Sequence, residues 1–166
     1  MGSMEIDSTR FGRLVIDEER VMTFPGGLLG FPDHARYALI QTSAENYFFW
    51  LQSVDDPNLA FVVTDPTVFF RDYHVPLREE TRADLLLDDD AEGGGGGGGT
   101  TAADPRLQVF VICNKVGDWL TGNLLGPIVV NTDNRLAQQV VLTEKKWTTR
   151  QPLLRLAGDV PLAKSA

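Results

Sequence analysis

The stretch Tyr47-Phe48-Phe49-Trp50-Leu51-Gln52-Ser53-Val54-Asp55-Asp56-Pro57-Asn58-Leu59-Ala60-Phe61-Val62-Val63-Thr64-Asp65-Pro66 decides the fold class. Two runs rich in aromatic and β-branched residues, Tyr47 to Leu51 and Leu59 to Thr64, read as strands. Between them Asp55-Asp56-Pro57-Asn58 reads as a turn, because Asx side chains bond nearby backbone and proline presets φ. Asp65-Pro66 stops the second run. Strand, turn and strand at this spacing predict antiparallel β structure.

The flanking chain continues the pattern. Upstream, Arg13, Val15 and Asp17 alternate with Leu14 and Ile16, the period of a half-buried strand. Val21 to Phe24 is a short apolar run closed by a Pro25-Gly26-Gly27 turn, with Gly30 a further breaker. Pro32 to Ala38 suits one helical turn, and Tyr37 to Ile40 reads as a strand. Downstream, Leu107, Val109, Val111 and Cys113 face one way, while Phe110 and Ile112 face the other. Apolar residues on both faces predict a central strand covered on both sides. Ile128 to Val130 and Gln138 to Leu142 are further strand candidates. One helix is expected to begin at Pro76 and end near Leu87, with Leu77, Thr81 and Leu85 at helical spacing.

The fold predicted is mostly β, a small antiparallel β-barrel-like domain with one short α-helix. It spans residues 10–153. Residues 1–9 read as a tag remnant and lead-in, and residues 154–166 as a disordered tail. Residues 88–104, an acidic run leading into Gly93 to Gly99, read as a flexible loop, since glycine loses the most backbone freedom and buries nothing.

The chain has 166 residues, 43% of them hydrophobic, enough for one domain with a real core. Fifteen basic residues against 23 acidic ones give a net charge of −8. Nucleic-acid affinity rests mainly on lysine and arginine at phosphates, so direct nucleic-acid binding is not expected. An acidic chain attracts basic partners instead. No apolar stretch is long enough to cross a membrane as a helix, and the first residues lack a signal-peptide pattern. A lone cysteine, Cys113, excludes an internal disulfide framework. A cytoplasmic protein without cofactors is the expectation.

Catalytic chemistry finds little support. His34 and His74 lie far apart in turn-like settings, without metal-ligand spacing. Cys113 sits inside an apolar strand, where a thiol is inert. The clusters Gly26 to Gly30 and Gly122 to Gly126 lack the Lys-Ser/Thr of a phosphate loop and read as turns. Asp88, Asp90 and Glu92 open like a calcium loop, but Gly99 stands where the closing glutamate is needed. An alternative hydrolase would use Asp55, Asp56, Asp65 or His74 as acid, base or metal ligand; turn chemistry explains the same acids without catalysis. Phe69-Phe70-Arg71-Asp72-Tyr73 has the aromatic and arginine content of a protein interface. The expected contact surface is therefore Phe69, Phe70, Asp72 and Tyr73 with the neighbouring acids Asp55, Asp56 and Asp65. On that reading Tyr73→Ala weakens partner binding by about 1–2 kcal/mol.

Taken in order, several segments resemble the FliW family of bacterial flagellar assembly factors. They are Thr9-Arg10-Phe11-Gly12, Ile16-Asp17-Glu18-Glu19, Thr23-Phe24-Pro25-Gly26-Gly27-Leu28 with Gly30-Phe31, and the opening stretch from Trp50 to Pro66. Asn123-Leu124-Leu125, Pro127-Ile128-Val129-Val130-Asn131, Gln138-Gln139-Val140-Val141-Leu142 and Thr149-Arg150 with Pro152-Leu153 follow. The chain departs from the pattern at the Gly93 to Gly99 run, at Arg71, where proline is expected, and at Gly122 and Gly126, where alanine is expected. The resemblance implies a small non-enzymatic β protein, monomeric when free. It implies binding to CsrA, an RNA-binding dimer that represses flagellin mRNA, and binding to flagellin. Flagellin would occupy the factor until exported, after which the factor would capture CsrA and lift the repression. A flagellin chaperone without CsrA binding is the other reading.

Overall fold

The computed structural model describes residues 2–41, 47–87 and 104–156. The strands are β1 (Ser3–Ser8), β2 (Gly12–Asp17), β3 (Val21–Thr23), β4 (Arg36–Ile40), β5 (Phe48–Ser53) and β6 (Ala60–Thr64). After the helix α1 (Glu79–Asp84) come β7 (Leu107–Val116), β8 (Trp119–Gly122), β9 (Ile128–Asn131), β10 (Ala137–Gln139) and β11 (Gln151–Arg155). β1 and β2 form a hairpin of their own. The other nine strands form one sheet, ordered β10-β9-β7-β6-β5-β4-β3, with β8 also on β7 and β11 on β8. All strand pairs in both sheets are antiparallel.

β7 holds the sheet together. Its residues 111–113 pair with β6, its first part with β9 and its last part with β8. The alternation read in the sequence explains this centrality. Phe110 enters one core cluster, with Ile112 packed against it, while Val109 and Val111 enter another. The first cluster takes Met22, Tyr37, Leu51, Val63, Phe110, Ile128 and Ala137, so every strand along the path contributes to its inner face. Each large side chain fully buried in this layer contributes roughly 1.5–3 kcal/mol. The second cluster lies outside β7 and β9. It is covered by Tyr73, Val75, Leu77, Leu85, Leu87 and Trp147. A third joins the β1–β2 hairpin, through Ile6 and Ile16, to Ala38 of β4.

The sheet curls without closing as a barrel. Its two ends meet at a single parallel bridge between Thr23 and Leu136, where Thr23 N donates to Arg135 O at 3.0 Å. Barrel-like therefore describes the curvature, while full closure would need a continuous ladder.

Several sequence expectations are corrected. Residues 1–9 include strand β1, whose Ile6 is buried. Positions 154 and 155, read as tail, belong to β11, which runs to Arg155 on β8 with a register shift beside Pro152. No helical turn forms at Pro32 to Ala38; Arg36 already begins β4. The strand at Gln138 to Leu142 ends as a ladder at Gln139. The helix is shorter than residues 76–87, because Leu86 takes φ 61° and turns Leu87 into the second cluster. Apart from Asp104, the acidic and glycine-rich segment 88–104 lies outside the described residues.

Candidate functional site

The predicted contact residues fall at two ends of β6. Asp55 and Asp56 lie in the turn before it, and Asp65 lies just after it. β6 has five residues, so roughly 16 Å of strand separates the two groups.

The first group is organised by Gln52, which is fully buried on β5. Its Oε1 accepts from Ser8 Oγ at 2.8 Å. Its Nε2 lies 3.1–3.3 Å from the carbonyls of Asp56, Pro57 and Leu59. One amide with two N–H groups is shared among these carbonyls, which draws the turn around it. Ser53 Oγ accepts from the backbone N–H of Asp55 at 3.1 Å and Asp56 at 2.9 Å. Asp56 Oδ1 accepts from Asn58 N at 2.9 Å. Thr9 N, from the β1–β2 turn, donates to Pro57 O at 2.9 Å. The two aspartates thus complete a turn and pair outward, Asp55 with exposed Arg36 at 3.2 Å and Asp56 with half-buried His34 at 3.7 Å.

The second group begins with Asp65, which caps the 3-10 turn Pro66–Val68. Its Oδ1 accepts from Thr67 N at 2.9 Å and Thr67 Oγ1 at 2.7 Å. Phe69 follows, half-buried, with its ring 6.1 Å from that of Phe48. Tyr47 and Val68, the residues before these two, are 62% and 45% exposed. Phe70 turns inward onto Trp147, with ring centroids 5.2 Å apart. Asp72 is exposed and bonds Lys146, whose ammonium holds the carboxyl below its usual range. Lys146 also lies over the Trp147 ring at 4.9 Å.

Tyr73 is misplaced in the sequence reading. It is only 3% exposed and its hydroxyl donates to Leu124 O at 2.7 Å. Burial, with Glu144 as a lesser cause, pushes its ionisation upward. It packs edge-on against Trp147 at 5.3 Å. A side chain sealed in the second cluster is a structural anchor, and Tyr73→Ala would act through the fold. The exposure of Tyr47 and Val68 has no sequence signal, because isolated apolar positions at strand and turn ends show no period.

The alternative hydrolase does not assemble. Asp55 and Asp56 stand apart from Asp65, and the Nδ1 of exposed His74 lies 3.4 Å from Asp72 O. Cys113 is buried, and burial pushes its thiol up to about 12.

Comparison with known proteins adds identity to this geometry. A family model described as FliW protein matches residues 5–153. A flagellar assembly factor FliW of Natranaerobius thermophilus is 36% identical over 155 residues, covering 93% of this chain and 95% of its own. One from Geobacter sulfurreducens is 38% identical, covering 93% and 89%. A solved structure, the crystal structure of the flagellar assembly factor FliW, superposes with a TM-score of 0.74 at 29% identity. The overlap covers 91% of this chain and 97% of that one. With its family match running from β1 into β11, the chain belongs to the FliW family, a family of flagellar assembly factors and not of enzymes.

Proposed function

We propose that this chain binds the translational regulator CsrA and relieves its repression of flagellin mRNA, with flagellin as the competing partner. The observation that carries this reading is the family match across residues 5–153. The charge supports it. An RNA-binding regulator presents basic residues to phosphates, and a chain of net charge −8 is steered towards such a surface. On this reading the protein acts in the cytoplasm, is monomeric when free and binds no RNA itself. The contact surface is the Phe48–Phe69 aromatic pair with Tyr47, Val68 and the Asp65 cap.

Calorimetric titration with CsrA, with and without flagellin, tests the exchange. Saturable, salt-sensitive binding that flagellin abolishes is expected. Binding to flagellin alone, with no CsrA complex at micromolar concentration, would leave a chaperone. Phe69→Ala is expected to weaken CsrA binding by about 1–2 kcal/mol with an unchanged fold. An unchanged dissociation constant would move the contact elsewhere.

A further inference from the structure

Beyond β10 the chain stays extended through Val140, Val141, Leu142 and Thr143. One edge of this segment is bonded: Val140 N donates to Pro127 O at 2.9 Å, and Leu142 N to Leu125 O at 2.8 Å. The amides and carbonyls of Val141 and Thr143 alternate to the other edge, where they have no backbone partner among the described residues. Val141 and Thr143 line a groove of about 700 Å³ together with Leu77, Arg78 and Glu80. The volume lies within the range of about 300–1,000 Å³ usual for occupied sites.

Three features point to an occupant. An unpaired row of N–H and C=O groups is a template for another strand, and proteins commonly blunt such edges with lysine, proline or a bulge. Residues 140–143 contain neither lysine nor proline, and Val141 is 60% exposed. Val140 and Leu142 pack against the second cluster, so the segment is held in place from behind. Glu80, on α1, and Glu144, beyond β10, both line the groove, and neither has an ion-pair partner among the described residues. The groove's other ionisable lining groups are the guanidinium of Arg78 and the imidazole of His74; with the imidazole neutral the two glutamates leave the groove acidic, in a chain already at −8.

We propose that this groove accepts an extended, lysine-bearing peptide strand of a protein partner, which pairs with the Val141–Thr143 edge and sets cationic side chains against Glu80 and Glu144. Backbone pairing supplies affinity and alternate side chains supply selection, as in other strand-addition sites. The proposal goes beyond the partner exchange and does not depend on it.

The test uses the full ¹⁵N-labelled chain and two acetylated, amidated hexapeptides, one alternating Lys-Val and one alternating Glu-Val. The Lys-Val peptide is expected to shift and protect the Val141 and Thr143 amides, and to bind at least tenfold more tightly than the Glu-Val peptide. Val141→Pro removes one donor of the open edge, which has no internal partner to lose, and should abolish the effect at unchanged Tm. Should Tm fall, Thr143→Pro replaces it. Combining Glu80→Gln and Glu144→Gln should weaken Lys-Val binding about fivefold or more. Shifts confined to other strands, no shifts at millimolar peptide, or equal binding of both peptides would overturn the proposal.

Discussion

Gln52 shows at the residue scale why the opening stretch is so specific. Its buried amide is the acceptor of the buried Ser8 hydroxyl and adds a further donor to the carbonyls of Asp56, Pro57 and Leu59, which also accept from backbone N–H groups. Gln52→Leu keeps the volume and removes the amide, so it should cost about 1–3 kcal/mol in urea denaturation. Gly27 is constrained by backbone instead. It has φ 74°, and a Cβ there would lie 2.5 Å from Phe31 O and 2.6 Å from Pro32 Cα. Gly27→Ala should therefore destabilise by about 1–3 kcal/mol or more. Gly26 has open space around its Cβ position. Gly26→Ala should stay within about 0.5 kcal/mol, and equal effects at the two sites would refute the account. Tyr73→Phe loses one buried hydroxyl bond, at about 0.5–1.5 kcal/mol, and should leave partner affinity unchanged.

At the scale of elements, legibility followed periodicity. β4 to β7 and β9 are apolar runs long enough to show a period, and β7 was readable down to the faces of Phe110 and Val111. β8 and β11 were invisible for physical reasons. Gly122 ends β8 and mimics a turn, while Pro152 lies at an irregularity in β11, a position that proline tolerates in a sheet. β1 begins in what looks like a cloning remnant and gains its place through Ile6 and Ile16 packing on Ala38. Ile16→Ala should cost about 2–4 kcal/mol. Because the hairpin's buried side chains, Ile6 and Ile16, belong to this small third cluster, hydrogen exchange should accelerate first in β1 and β2. Of the proposed contact residues, the sequence could name aromatic composition but not direction. Phe69 and Phe70 are adjacent, yet the 3-10 turn sends Phe70 to Trp147 and leaves Phe69 half-buried on Phe48.

At the scale of the whole molecule, buried and paired groups set the pH range of stability. Lys146 lowers the pKa of Asp72, and Arg106 lowers that of Asp104, so both carboxyls ionise more readily folded than unfolded. Their contribution is complete above the unfolded value of about 4 and disappears as pH falls through the lower folded values. The opposite holds for Cys113 and Tyr37, whose burial raises both to about 12 and keeps them neutral. Their contribution is complete below about pH 9 for Cys113 and about pH 10 for Tyr37, and is lost as pH rises towards 12. Urea midpoints should plateau between about pH 5 and 9. Cys113→Val should delay the alkaline decline towards pH 10, and an onset unmoved by that change would exclude the thiol. The bridge between Thr23 and Leu136 has a consequence for biosynthesis. A chain emerging amino end first presents β3 long before its closing partner exists, and such distant pairings form slowly. Stalled nascent chains that end before residue 136 should stay sensitive to protease, whereas released chains acquire resistance in one step as the seam between the first and last thirds of the molecule is sewn shut.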